Sequence, residues 1–78
     1  MSAITVYTAP ACAQCRATKR KLNSLGADYT EVNVRDNNEA LDYVHSLGYE
    51  SAPVVVAGND HWFGFRPDRL TAAVAKSS

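Results

Sequence analysis

No run of apolar residues in this sequence approaches the roughly 20 that a bilayer-spanning helix needs, so none is expected. Neither sign of charge predominates: eight basic and eight acidic residues give a formal net charge of zero. Nucleic acids and anionic membranes are held by a positive field, so neither is expected as the main partner. Cysteine is scarce, and two are too few for the multi-bridge framework of a small secreted protein. Repeats, low-complexity stretches and linkers are missing, and Met1 to Tyr7 lacks the basic-then-apolar layout of a signal peptide. The expectation is one domain over residues 1–78, kept in a reducing cytoplasm. A chain of this length buries only about 60% of its unfolded surface, so its core must be nearly complete.

The two cysteines, Cys12 and Cys15, are three positions apart. Closing so short a loop removes only about 2 kcal/mol of unfolded-state entropy, against about 3 for a loop of about fifteen residues. A bridge between them is a poor staple, and a structural disulfide is in any case unexpected in a reducing compartment.

The surrounding pattern supplies a scaffold. Ala3–Thr8 is rich in β-branched and aromatic residues and reads as a strand, which Pro10 breaks. From Ala13 to Leu25 the less polar Cys15, Thr18, Leu22 and Leu25 recur at helical spacing, with Arg16, Lys19, Arg20 and Lys21 mostly outward. Gly26 then stands where a helix C-terminus favours a left-handed residue. Asp28–Val34 alternates as a second strand, with Thr30, Val32 and Val34 on one face. Asp36 is expected to cap a second helix, with Glu39 at its third position and Ala40, Leu41, Val44 and Leu47 as its apolar stripe up to Gly48. Pro53–Ala57 reads as a buried strand. Gly58-Asn59-Asp60 is turn chemistry, and His61–Phe65 returns as a hairpin partner. Pro67 opens a last helix with Leu70, Ala73 and Val74 inward, before a loose tail from Ala75 to Ser78. The order β-α-β-α-β-β-α gives an α/β fold: a four-stranded mixed sheet flanked by three helices. Its first two strands are expected to be parallel across a right-handed crossover and its last two antiparallel. This is the thioredoxin fold in its smallest form.

On that scaffold Cys12 sits at a helix N-terminus. The thiolate is the reactive form of cysteine, and unpaired first-turn amides and the helix dipole both favour negative charge there. Arg16, one turn on, is a further source of positive charge. Two intervening residues bring Cys15 round the turn, within reach of a mixed disulfide on Cys12. A zinc site would need four ligands, and only Cys12, Cys15, His45 and His61 offer themselves, the histidines on elements with no reason to meet the cysteines. Ala52-Pro53 precedes the apolar Val54-Val55-Val56. A proline there avoids donating to the ladder, and either a trans or a cis bond satisfies that requirement.

The chain as a whole resembles the NrdH-type redoxins, glutaredoxin-sized proteins that pass electrons to class Ib ribonucleotide reductase. The motifs are C-x-Q-C at Cys12–Cys15, A-P-V-V-V-A-G at Ala52–Gly58 and W-x-G-F-R-P at Trp62–Pro67. The resemblance implies that Cys12 is the nucleophile, Cys15 the resolving thiol, and Pro53 a cis residue facing the disulfide. It places Ala13, Gln14, Ala52, Trp62, Phe65 and Arg66 toward substrate or partner. It implies re-reduction by NADPH-dependent thioredoxin reductase; no bound cofactor beyond the redox-active Cys12–Cys15 disulfide is expected, and a monomer is expected. Glutaredoxins commonly hold glutathione with a glycine pair followed by Asp at a helix start. Here the stretch is Gly64-Phe65-Arg66-Pro67-Asp68, with a bulky ring in place of the second glycine, so poor glutathione binding is expected. Two residues depart from the family's usual pattern: Ala13 stands for Val or Met, and Phe63 for Ser. The competing readings are a general glutaredoxin-like protein disulfide reductase and a metal- or cluster-binding module.

Overall fold

The alternation and helical spacing of the apolar residues fix the course of the chain in a computed structural model, which describes residues 3–77. Strand β1 (Ile4–Thr8) buries Ile4, Val6 and Thr8 on one face. Helix α1 (Ala13–Ser24) buries Cys15, Thr18 and Leu22. Strand β2 (Thr30–Asn33) is followed by helix α2 (Asn38–Ser46), strand β3 (Val54–Ala57), strand β4 (Asp60–Phe63) and helix α3 (Pro67–Ser77). The sheet order is β2-β1-β3-β4. β1 runs parallel to β2 and antiparallel to β3, while β3 and β4 form the antiparallel hairpin. The expected element order, mixed sheet and three helices are all present.

One face of the sheet carries the main core. Ile4, Val6, Val55 and Trp62 meet Leu22 of α1 and the inner residues Leu70 and Ala73 of α3. The alternate residue Tyr7 points the other way, where its ring lies 5.7 Å from that of Tyr43 in α2. Burial, and then the neighbouring Tyr43, push the Tyr7 phenol above its usual value. Helices therefore cover both faces, α1 and α3 on one and α2 on the other.

β1, α1, β3 and β4 each shift by one residue at an end, to start at Ile4, end at Ser24, start at Val54 and start at Asp60. Four further boundaries differ from the sequence reading for identifiable reasons. The cap of α2 is Asn37, not Asp36: the Asn37 backbone is extended and its Oδ1 accepts the Ala40 N–H at 3.0 Å. Asp36 is left in the preceding turn, its N–H bonded to the Asn33 carbonyl, and Glu39 moves to the second helical position. β2 is shorter than Asp28–Val34, since its ladder with β1 pairs only residues 30–33. β4 stops at Phe63 because Gly64 takes a φ of +88°, a left-handed turn that an extended strand does not tolerate. Ala75 and Lys76, read as tail, continue α3, as their good helix propensity favours. Ser78 lies outside the described residues.

A polar tie joins three of these elements next to the end of β1. The buried Thr8 hydroxyl donates to Glu31 Oε2 of β2 at 3.0 Å, and Lys19 Nζ of α1 lies 3.0 Å from the same oxygen. Chiefly the Lys19 hydrogen bond, aided by Thr8 and opposed by partial burial, holds the Glu31 carboxyl below its usual value. A carboxylate depressed on folding stabilises above its unfolded pKa, and that contribution is lost as pH falls through the folded value. The pair is partly solvated, so the effect should stay below about 1 kcal/mol. Denaturant unfolding of Glu31→Gln should show it less stable than the parent at about pH 7, with the gap closing by about pH 3.

Candidate active site

The site is built where β1 hands over to α1. Pro10 ends the strand, and Ala11 turns the chain with a φ of +55°, unusual for a residue with a side chain. Nothing in the sequence signals this, since Gly or Asn would be the usual residue there. Cys12 is then the N-cap of α1, with extended backbone (φ −112°, ψ 104°). Its Sγ accepts the Cys15 N–H at 3.1 Å, a sulfur doing the work usually given to Ser or Asp. Its carbonyl accepts the Arg16 N–H at 3.3 Å, opening the helix. Cys12 and Cys15 are joined as a disulfide with Cα atoms 5.2 Å apart. Their exposures differ: Cys12 is half-buried, whereas Cys15 is only 2% exposed. An incoming sulfur atom can therefore reach Cys12 and not Cys15.

Across from Cys12 the chain enters β3 through a cis Ala52–Pro53 bond, as the resemblance implied. A cleft of about 460 Å³ is bounded by Cys12, Ala13 and Gln14 on one side and Ser51 and Ala52 on the other. Pro53 itself is fully buried behind this wall, and its carbonyl accepts the Gly64 N–H at 2.9 Å. Behind Gln14, outside the cleft lining, runs the segment Gly64-Phe65. Gln14 Oε1 accepts the Phe65 N–H at 3.1 Å, linking the first turn of α1 to a segment 51 residues away. Thr18 braces that turn by donating its hydroxyl to the Gln14 carbonyl at 2.8 Å. A Cβ on Gly64 would stand 3.3 Å from Gln14 Oε1, and the positive φ there strains any side chain. Gly64→Ala should therefore cost about 1–3 kcal/mol in denaturant unfolding. Part of that cost should disappear in the Gln14→Ala background, a coupling that a double-mutant cycle measures.

Of the residues the resemblance placed toward a partner, Ala13, Gln14 and the half-buried Ala52 line the cleft. The half-buried Phe65 is tied to Gln14 outside it, and Arg66 is exposed on the next position. Trp62 does not fit the expectation that it faces a partner. It is 4% exposed, because its register opposite Val55 points it into the main core. Among the described residues its indole Nε1 has no hydrogen-bond partner, and Arg69 of α3 lies 5.6 Å above its ring. The residue that does emerge from β4 is Phe63, 42% exposed and stacked on Tyr49 at 6.3 Å. His61 bonds the Tyr49 hydroxyl through Nδ1 at 2.8 Å, and His45 is exposed on α2. Among the described residues no group of three or more His, Cys, Asp or Glu side chains comes together.

A disulfide at the N-terminus of a helix that follows the central strand of a four-stranded sheet defines a thiol–disulfide oxidoreductase of the thioredoxin fold. The glutaredoxin family model matches residues 4–62. The glutaredoxin-like protein NrdH of Escherichia coli is 43% identical over 67 residues, covering 86% of this chain and 83% of that protein. Its counterpart in Salmonella typhimurium is 45% identical over 67 residues, with the same coverage of 86% and 83%. Among solved structures, the Escherichia coli NrdH-redoxin, a glutaredoxin-like protein with a thioredoxin-like activity profile, superposes with a TM-score of 0.85 at 42% identity. That match covers 88% of this chain and 91% of the other. A glutaredoxin from Archaeoglobus fulgidus superposes with a TM-score of 0.82 at 26% identity, covering 95% of this chain and 87% of that one. The chain belongs to the glutaredoxin family, among its glutaredoxin-like NrdH proteins.

Proposed function

We propose that the protein is the electron donor of a class Ib ribonucleotide reductase, re-reduced by NADPH-dependent thioredoxin reductase rather than by glutathione. It works in the cytoplasm as a monomer, the 78 residues acting as one domain. In the dithiol form the Cys12 thiolate attacks a disulfide of the client. One client sulfur bonds to Cys12, and the other leaves as a thiolate that takes up a proton. The Cys15 thiolate then attacks Cys12 Sγ, forming the intramolecular disulfide and expelling the second client thiol. Two electrons and two protons pass to the client, and thioredoxin reductase restores them from NADPH. The observation that carries the assignment of roles is the pairing of an accessible Cys12, with an amide aimed at its sulfur, and a buried Cys15. The same amide stabilises the thiolate of the reduced form.

Two things support the electron source. The Escherichia coli relative has a thioredoxin-like activity profile. In this chain Phe65 occupies the place where glutaredoxins commonly have a glycine, and its amide is already engaged by Gln14. A peptide thiol laid along this segment meets a ring and finds that donor taken. The decisive assay mixes oxidised protein with NADPH and thioredoxin reductase, and rapid NADPH consumption is the expected result. Reduction by glutathione and glutathione reductase alone would make the protein an ordinary glutaredoxin. The broader alternative, a reductase of many protein disulfides, is separated by capturing clients on Cys15→Ser. If ribonucleotide reductase is missing from the captured set, the narrow client assignment fails.

A further inference from the structure

A chain with no net charge has its charges sorted by face. Helix α1 carries Arg16, Lys19, Arg20 and Lys21 and no acid, whereas α2, on the other side of the sheet, carries Glu39 and Asp42. Only Lys19 of the four α1 cations is neutralised, by Glu31. Among the described residues Arg16, Arg20, Lys21 and the nearby Arg66 enter no ion pair, and Asp68, two positions beyond Arg66, does not close on it. Arg16 and Arg20 are spaced by four and share one exposed stripe. Beside that stripe lies a groove of about 390 Å³ lined by Ala17, Arg20, Lys21, Ser24 and the ring of Phe65. The groove is linked to the active site by two contacts: Phe65 is the residue that Gln14 holds, and the stripe begins one turn from Cys12.

We propose that this basic stripe and the Phe65 groove are the docking surface for an acidic segment flanking the disulfide of a protein client. The inference rests on the disulfide-exchange reading above and adds the chemistry of the partner. Helix residues 12–24 rise about 18 Å, the length of roughly five or six residues of extended peptide. A segment of that length leaving the attacked disulfide places carboxylates opposite Arg16, Arg20 and Lys21 and an apolar side chain against Phe65. Rim charges of this kind act mainly on the rate of encounter and are screened by salt.

The test uses the full chain in its dithiol form and two synthetic disulfide-bonded peptides of equal length. One has a flank of about six residues rich in Glu with a single Leu, and the other has Lys in place of each Glu. At low ionic strength the acidic peptide should be reduced at least about tenfold faster, and the ratio should fall toward one at about 0.5 M salt. Arg20→Glu/Lys21→Glu should invert the preference, and Arg20→Gln/Lys21→Gln should give an intermediate ratio. Far-ultraviolet circular dichroism establishes that each variant is folded. Equal rates for the two peptides at low salt overturn the docking surface. So does a preference that survives in both variants, since the field would then come from elsewhere. If the dithiol protein reduces neither peptide, the exchange reading itself falls, an outcome distinct from reduction without charge preference.

Discussion

Cys12→Ser should abolish disulfide reduction, lowering the NADPH-coupled rate at least about a thousandfold, because no other sulfur at the site is open to solvent. Cys15→Ser should behave differently. It retains the reachable nucleophile but lacks the thiol that releases the client, so it should make one mixed disulfide per chain and then stop. Non-reducing electrophoresis and intact-mass measurement read both outcomes directly: an adduct on Cys15→Ser that a reductant removes, and none on Cys12→Ser. The reverse pattern, with the adduct on Cys15, would invert the roles deduced from exposure. The asymmetry also bears on stability. A bridge closing four residues restrains the unfolded chain by only about 2 kcal/mol, so both variants should remain folded.

The second large effect is structural. Trp62→Ala should cost about 3–5 kcal/mol, the range for emptying a buried aromatic site. For a domain of this length the total is on the order of 4–12 kcal/mol, so the variant should be severely destabilised or unfolded. Trp62→Phe separates the ring from its polar atom. It removes the indole N–H that has no partner, and leaving such a donor buried costs about 1–3 kcal/mol. The relief offsets most of the lost volume, so Trp62→Phe should stay within about 1.5 kcal/mol of the parent in denaturant unfolding. A loss as large as that of alanine would mean that the N–H is satisfied in solution and that Trp62 is held by more than packing.

Most of the architecture was legible because it rests on patterns that survive without coordinates. The alternation in β1, the apolar run before Ala57, the stripe of α2 ended by Gly48 and the left-handed Gly26 all appear where the sequence placed them. Cys12 and Cys15 were legible for the same reason, since a pair between a strand and a helix has one natural place. Choices between chemically similar neighbours were harder to read. Asp36 and Asn37 are both good caps, and the direction of the backbone selected Asn37. Trp62 and Phe63 are adjacent aromatics on one strand, and only the pairing with Val55 decides which ring is buried. The Gln14 bridge was invisible, because it joins residues 51 apart through a side-chain oxygen whose target is a backbone amide.

The burial of Cys15 governs the order of events as well as the roles. A mixed disulfide on Cys12 presents one sulfur to the solvent and one to the interior, and the interior sulfur already has its attacker alongside. Release of the client is then a first-order process, driven by a local thiol concentration far above anything dissolved around the protein. Its rate should be indifferent to how many other thiols the cell contains. On the proposed mechanism the pace of electron delivery is therefore set by how often the carrier meets its clients, and the half-exchanged complex should accumulate only when Cys15 is removed.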